Sequence, residues 1–146
     1  MKKTIYIVED NPYMREVLVM LIEEEEDLEV CGIAETATEA LRTLCDLDPD
    51  LVIADLSMPG MTGIEFIERL CVLKPRLRVT ILSAHTETVY AEQALVAGAK
   101  GYILKGDPMA IMEGIRLVLD GETYVSRSMR TPALRKHSLP QAEGRS

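Results

Sequence analysis

A doubly wound α/β fold is what this sequence predicts: a five-stranded parallel sheet in the order 2-1-3-4-5, with helices on both faces. Three observations carry that expectation. Short apolar runs alternate five times with segments whose apolar residues recur at helical spacing, the pattern of strand–helix units with right-handed crossovers. The central run Leu51-Val52-Ile53-Ala54 is unbroken, as suits a strand buried on both faces. Polar or charged residues stand immediately after most of the runs, where open α/β sheets gather their chemistry. With 146 residues and 47% hydrophobic composition, the chain can bury a core as one domain.

Each unit carries its own signals. Ile5 to Val8 is a β-branched and aromatic run ending in Glu9-Asp10; Asn11-Pro12 then supplies an N-cap and a first-turn proline. Met14, Val17, Leu18, Leu21 and Ile22 mark the buried face of the first helix, which closes in the charge run Glu23 to Glu26, read as a solvated end. Leu28 to Ala34 predicts the second strand. Thr36-Ala37-Thr38-Glu39 has capping-box spacing, and Ala40, Leu41, Leu44 and Leu47 form a buried stripe that stops at Asp48-Pro49-Asp50. The third strand delivers Asp55 at its C-terminal end. Pro59-Gly60 is turn chemistry, and Thr62 to Glu65 is a second capping box opening a helix with Ile64, Ile67, Leu70 and Cys71 inward.

Val79 to Leu82 is the fourth strand, ending at Ser83, and a helix from Thr86 to Ala97 is stopped by Gly98 in the left-handed region. Gly101 to Leu104 is the fifth strand, followed by Lys105-Gly106. Asp107-Pro108 opens the last helix, with Ile111, Ile115, Val118 and Leu119 on one face and Gly121 as its stop. Periodicity is lost from Ser126. Residues 1–125 therefore read as the domain and residues 126–146 as a linker or disordered basic tail.

Charge and cysteine usage exclude several functions. The chain carries a net charge of −8, and the tail alone holds Arg127, Arg130, Arg135, Lys136 and Arg145 against Glu143, so the body is more acidic still. Such a body argues against direct nucleic-acid binding, which rests on neutralising phosphates. Cys31, Cys45 and Cys71 lack metal-ligand spacing and read as reduced core thiols. The apolar run after Met1 is broken by Glu9-Asp10 and no stretch reaches transmembrane length, so the expectation is a cytoplasmic protein without membrane contact.

In the order 2-1-3-4-5, the first, third, fourth and fifth strands are contiguous. Glu9, Asp10, Asp55, Ser83 and Lys105 then converge at the switch point between strands one and three. Like charges a few ångströms apart repel by up to about 4 kcal/mol per pair at an effective dielectric of 20, so something must offset them. Raised pKa values are one route. A hard cation such as Mg²⁺ is the other.

These residues, in this order, resemble the receiver domain of two-component response regulators over about Lys3 to Val125. The motifs are Glu9-Asp10, Asp55 within Asp-Leu-Ser-Met-Pro-Gly-Met-Thr-Gly, Ser83-Ala84, and Tyr-Ile-Leu-Lys at 102–105, with wording similar to NarL/FixJ-type regulators. The resemblance implies a flavodoxin-like (βα)5 fold. It implies that Asp55 accepts a phosphoryl group from a sensor histidine kinase or phosphotransfer protein. Mg²⁺ would be held by Glu9 (through water), Asp10, Asp55 and the main-chain carbonyl of Ser57. Ser83 and Lys105 would bind phosphoryl oxygens, with Tyr102 as the switch aromatic, turning from a solvent-facing rotamer into space vacated by Ser83. Ser57 and His85 would tune dephosphorylation. Output would leave by the face of helix four, strand five and helix five, to a partner protein or a second copy.

Three features depart from the commoner pattern. Glu9 stands where many receivers have aspartate, Gly106 replaces a proline, and no DNA-binding helix pair fits after Ser126. The chain is expected to be a stand-alone receiver, or else the N-terminal receiver of a DNA-binding transcriptional regulator, or a pseudo-receiver that works without phosphorylation. A nucleotide-binding protein of this fold would need a Gly/Ser/Thr-rich loop where Glu9-Asp10 repels anions. His85 is open between a ligand and a solvent-facing loop side chain, and Met58, Met61, Met109 and Met112 read as core fillers.

Overall fold

A computed structural model describes residues 1–132. Strands β1 (Lys3–Val8), β2 (Leu28–Ala34), β3 (Leu51–Asp55), β4 (Val79–Ser83) and β5 (Gly101–Leu104) alternate with helices α1 (Pro12–Glu23), α2 (Ala37–Leu44), α3 (Gly63–Leu73), α4 (Thr88–Ala97) and α5 (Pro108–Leu119). Every pairing in the sheet is parallel.

Side-chain alternation along the strands divides the core in two. Tyr6, Val8, Val52 and Ala54 point toward α2, α3 and α4, where Phe66, Ile67 and Ala91 meet them. Ile5, Ile7, Leu51 and Ile53 point the other way, onto Leu18 and Ile22 of α1 and Ile111 and Ile115 of α5. Phe66, which the helical spacing did not single out, is fully buried. Burying a side chain of that size stabilises by roughly 1.5–3 kcal/mol.

The helix starts follow the expected chemistry. Asn11 accepts from the Met14 N–H (3.1 Å), Thr36 from Glu39 (3.1 Å), Thr62 from Glu65 (3.1 Å), and Asp107 from Met109 and Ala110 (3.1 and 3.2 Å). Helix α4 is the exception. It starts at Thr88 rather than Thr86, after Glu87, which makes no side-chain capping bond. Gly98 ends it at φ 122°, a conformation that an L side chain rarely adopts.

Besides the later start of α4, the structure differs from the sequence-based expectation in several places. Met109, expected as a core filler, is exposed because it lies in the outward-facing first turn of α5. A sixth strand, β6 (Tyr124–Val125), adds to β5 and gives the order β2-β1-β3-β4-β5-β6. After α5 the chain turns at Gly121 (φ 93°), and the exposed edge of β5 takes up two more residues. Structure continues past residue 125: Arg127–Met129 is a 3₁₀ turn, and Ser126 and Met129 are only 3% and 1% exposed. The rest of the expected tail, residues 133–146 with His137, lies outside the described residues. Cys45 is exposed rather than a core thiol, because α2 ends at Leu44, while Cys31 and Cys71 are half-buried and free. The acidic run after α1 is not merely solvated: Arg116 of α5 pairs with Glu25 (2.5 Å) and forks onto Asp27 (2.6 and 2.8 Å).

One glycine matters to the site. A Cβ on Gly63 would lie 2.8 Å from both the Asp55 carbonyl oxygen and the Leu56 Cα, and the Gly63 N–H donates to the Leu56 carbonyl at 2.7 Å. Backbone cannot rotate aside as a side-chain tip can. Gly63→Ala should therefore lower stability by about 1–3 kcal/mol, measured by urea unfolding. A surface glycine such as Gly106, with nothing within 4 Å of its Cβ position, should tolerate alanine.

Candidate functional site

The carboxyl ends of β1, β3, β4 and β5 form one rim. Asp55 is in register with Leu82, Ser83 with Leu104, and the Lys105 N–H donates to the Ser83 carbonyl at 2.8 Å. This register delivers the predicted residues together. Carboxylate oxygens of Glu9, Asp10 and Asp55 all lie within 4.8 Å of one another. Glu9 and Asp55 are buried at 1% and 6% exposure, while Asp10 is exposed.

A lysine is the cation beside them. Lys105 Nζ donates to Asp55 Oδ2 at 3.1 Å and stands 3.1 Å from Glu9 Oε1. The Ser57 N–H donates to Asp55 Oδ1 (3.2 Å) and the Asn11 N–H to Glu9 Oε2 (3.1 Å). Arg15 is close but turned away from the carboxylate, donating instead to the Glu9 main-chain carbonyl at 2.9 Å. Glu9 Oε1 is left buried without a hydrogen bond, despite the nearby ammonium.

The electrostatic consequence is uneven. Burial, and then the neighbouring Asp55 charge, push the Glu9 carboxyl up to about 6. For Lys105, burial alone would lower the pKa, but Asp55 and Glu9 outweigh it and hold the ammonium above its ordinary value. One lysine therefore remains charged without fully compensating the buried acids. The orphaned Glu9 oxygen and the surplus of hard oxygen donors fit a divalent cation.

Around this centre the structure reveals a latch that the sequence did not signal. The His85 N–H donates to Ser83 Oγ at 2.9 Å, and Tyr102 Oη donates to the His85 carbonyl at 3.0 Å. The main chain of His85 thus ties both expected switch residues together. Tyr102 is fully buried, so the structure holds it inward and not in the expected solvent-facing rotamer; the His85 carbonyl satisfies its hydroxyl there. The His85 side chain lies 3.2 Å from Ser57 Oγ through Nε2, with its ring 4.8 Å from that of Tyr90 and its Nδ1 3.8 Å from Glu87. The carboxylate cluster excludes it, because His85 points toward α4.

The response regulator receiver domain model matches residues 5–129. The chain belongs to the response regulator receiver family. It is 31% identical over 138 residues to the response regulator GacA of Pseudomonas viridiflava, covering 94% of this chain and 64% of that protein. Identity is 35% over 134 residues with the nitrate/nitrite response regulator protein NarL of Escherichia coli K12, covering 90% and 61%. The chain thus spans about three fifths of the length of the relatives it matches. Among solved structures, a two-component response regulator of the LuxR family from Aurantimonas sp. SI85-9A1 superposes with TM-score 0.82 at 31% identity, covering 99% of both chains. The signal receiver domain of NarL from Mycobacterium tuberculosis gives TM-score 0.78 at 29% identity, covering 83% of this chain and 98% of that one. This receiver domain is a signalling module of two-component systems, and among its described residues no helix is long and apolar enough to cross a membrane.

The raised Glu9 pKa has a stability consequence. A carboxyl whose folded value exceeds its unfolded value of 4.5 stabilises the fold fully below about pH 4.5, and that contribution is lost as pH rises through about 6. In chelator, wild-type protein should lose on the order of 1–2 kcal/mol over that window relative to Glu9→Gln, in thermal unfolding across pH. Parallel stability curves for the two proteins would remove Glu9 as the cause.

Proposed function

We propose that Asp55 is the phosphoacceptor of this receiver, taking a phosphoryl group from the phosphohistidine of a sensor histidine kinase or phosphotransfer protein. The observation carrying the reading is the acidic cluster of Glu9, Asp10 and Asp55, with Lys105 bonded to the Asp55 carboxylate. An Asp55 oxygen attacks phosphorus in line, the P–N bond to the donor imidazole breaks, and an acyl phosphate forms. Positioning and charge neutralisation do most of the work in such a transfer. Mg²⁺, held by Asp10, Asp55, the Ser57 main-chain carbonyl and, through water, Glu9, would supply neutralisation of the phosphoryl charge.

Lys105 pairs with a second phosphoryl oxygen. Ser83 already accepts from the His85 N–H, which leaves its own proton free to donate to a third. Such charge-assisted bonds are worth roughly 1.5–3 kcal/mol. Movement of Ser83 would pull on the His85 main chain, and through it on Tyr102 and the face of α4, β5 and α5. That face passes the signal to a partner protein or a second copy, while the acidic body makes no direct nucleic-acid contact. The receiver unit extends to Met129, and the cytoplasm is where the kinase would meet it. The contact between Ser57 and His85 narrows the approach of water to the acyl phosphate and sets its lifetime.

Three variants test the assignment. Asp55→Asn should abolish the mass increase seen with acetyl phosphate and Mg²⁺; labelling retained at another residue would remove Asp55 from its role. Asp10→Ala should weaken Mg²⁺ binding at least as much as the roughly 10- to 100-fold that outer-shell changes cost at metal sites, read by titration. Ser57→Asn should shorten the phosphoryl lifetime, because an amide can orient the attacking water where the hydroxyl is engaged by His85. A lifetime equal to or longer than wild type would count against that role.

A further inference from the structure

The segment after α5 makes two hydrogen bonds that single out Ser126. Its N–H donates to the Tyr102 carbonyl at 3.0 Å, continuing the β5–β6 ladder, and its Oγ accepts from the Leu104 N–H at 2.9 Å. These partners lie on either side of Ile103, and Leu104 immediately precedes Lys105. Ser126 is 3% exposed, and removing its hydroxyl takes this partner from the Leu104 N–H. The segment is held from outside as well. Arg130 Nε donates to the Val125 carbonyl at 2.7 Å while its guanidinium lies 5.2 Å from the Tyr124 ring centroid, and Met129 is buried at 1% exposure.

We propose that Ser126 is a positioning residue for the phosphoryl site: its hydroxyl fixes the end of β5, and thereby the reach of Lys105 to Asp55, so that docking of the post-α5 segment and phosphorylation are coupled. The inference rests on the phosphoacceptor reading above and deepens it. On the other side of the same turn, the Lys105 N–H is fixed by the Ser83 carbonyl, so the lysine backbone is gripped from β4 and its predecessor from Ser126. Lys105 Nζ sits at 3.1 Å from both Glu9 and Asp55, and a slide of β5 lengthens both contacts together. Coupling of this kind is reciprocal. Whatever displaces residues 126–130 weakens the lysine's hold on the phosphoryl group, and a phosphoryl group gripped by Lys105 tightens the segment on the sheet.

The test compares the full chain with Ser126→Ala and Ser126→Thr. With acetyl phosphate and Mg²⁺ followed by intact mass, Ser126→Ala should be phosphorylated about tenfold more slowly, the size of one hydrogen bond's net contribution, and Ser126→Thr should be restored to within about twofold. Thermal unfolding accompanies both, because a purely structural role would lower stability without a rescue of rate by threonine. A wild-type rate in Ser126→Ala, or equal slowing in both variants, would overturn the proposal. A second readout needs no phosphate: the Lys105 side-chain ammonium resonance and Leu104 amide exchange in the unphosphorylated chain. Both should change in Ser126→Ala and recover in Ser126→Thr; an unmoved Lys105 signal overturns the coupling. If the wild type itself takes no label, the phosphoacceptor reading fails, and the NMR comparison still decides whether Ser126 positions Lys105.

Discussion

The structure is organised around a repulsion. Glu9 and Asp55 are almost fully buried at adjoining strand ends, with Asp10 beside them, and one ammonium stands between the buried two. A domain whose net stability is only about 5–15 kcal/mol does not keep like charges in a low-dielectric rim without reason. The remainder of the fold explains how it can. Two apolar layers clamp the sheet on either side, so the strand ends cannot splay to separate the acids. Because backbone N–H groups from Ser57 and Asn11 already bond the carboxylates, little room remains for them to turn away. Burial, and then the neighbouring Asp55 charge, hold the Glu9 carboxyl well above the usual carboxylate range.

Beyond the rim, two side chains meet at the main chain of one residue. His85 offers its N–H to Ser83 and its carbonyl to Tyr102, and those two side chains stand on adjoining strands, β4 and β5. The two groups belong to successive peptide planes hinged at the His85 Cα, so the Ser83 hydroxyl and the tyrosine are joined through one residue's main chain. Tyr102 is held inward with its hydroxyl satisfied and its ring wholly enclosed. A ligand moves such an equilibrium only by its differential affinity. In the switch proposed above, the inward arrangement is already well bonded, so phosphoryl contacts worth a few kcal/mol would fix it.

Local signals were the ones that the sequence made legible. Asn11, Thr36, Thr62 and Asp107 cap their helices as their spacing indicates, because a cap is decided within a few residues. The convergence of Glu9, Asp10, Asp55 and Lys105 was legible too, since strand order alone brings the ends of β1, β3 and β5 close. What escaped was decided by distant partners. Tyr124–Val125 is too short to show alternation, and it becomes a strand only because β5 offers a free edge. Glu25 looks like solvated charge until Arg116, far along the chain, reaches it. The inward rotamer of Tyr102 depends on a carbonyl at residue 85, and main-chain groups leave no trace in residue identity.

The sixth strand changes how the end of β5 is held. A five-stranded sheet would leave the outer edge of β5 unpaired, a row of donors and acceptors open to any other strand. Here β6 occupies the edge beside Gly101 and Tyr102, and the Ser126 hydroxyl takes the next donor along, that of Leu104. A side chain replaces main chain at the place where the ladder would otherwise continue. Such a bond is lost more readily than a ladder bond, because it needs the serine rotamer as well as the backbone. Lys105 follows directly, so this link in the edge adjoins the cation that, among the described residues, pairs with both buried acids. That placement makes the end of β5 the point where covering the sheet edge and balancing the buried charge become a single mechanical problem.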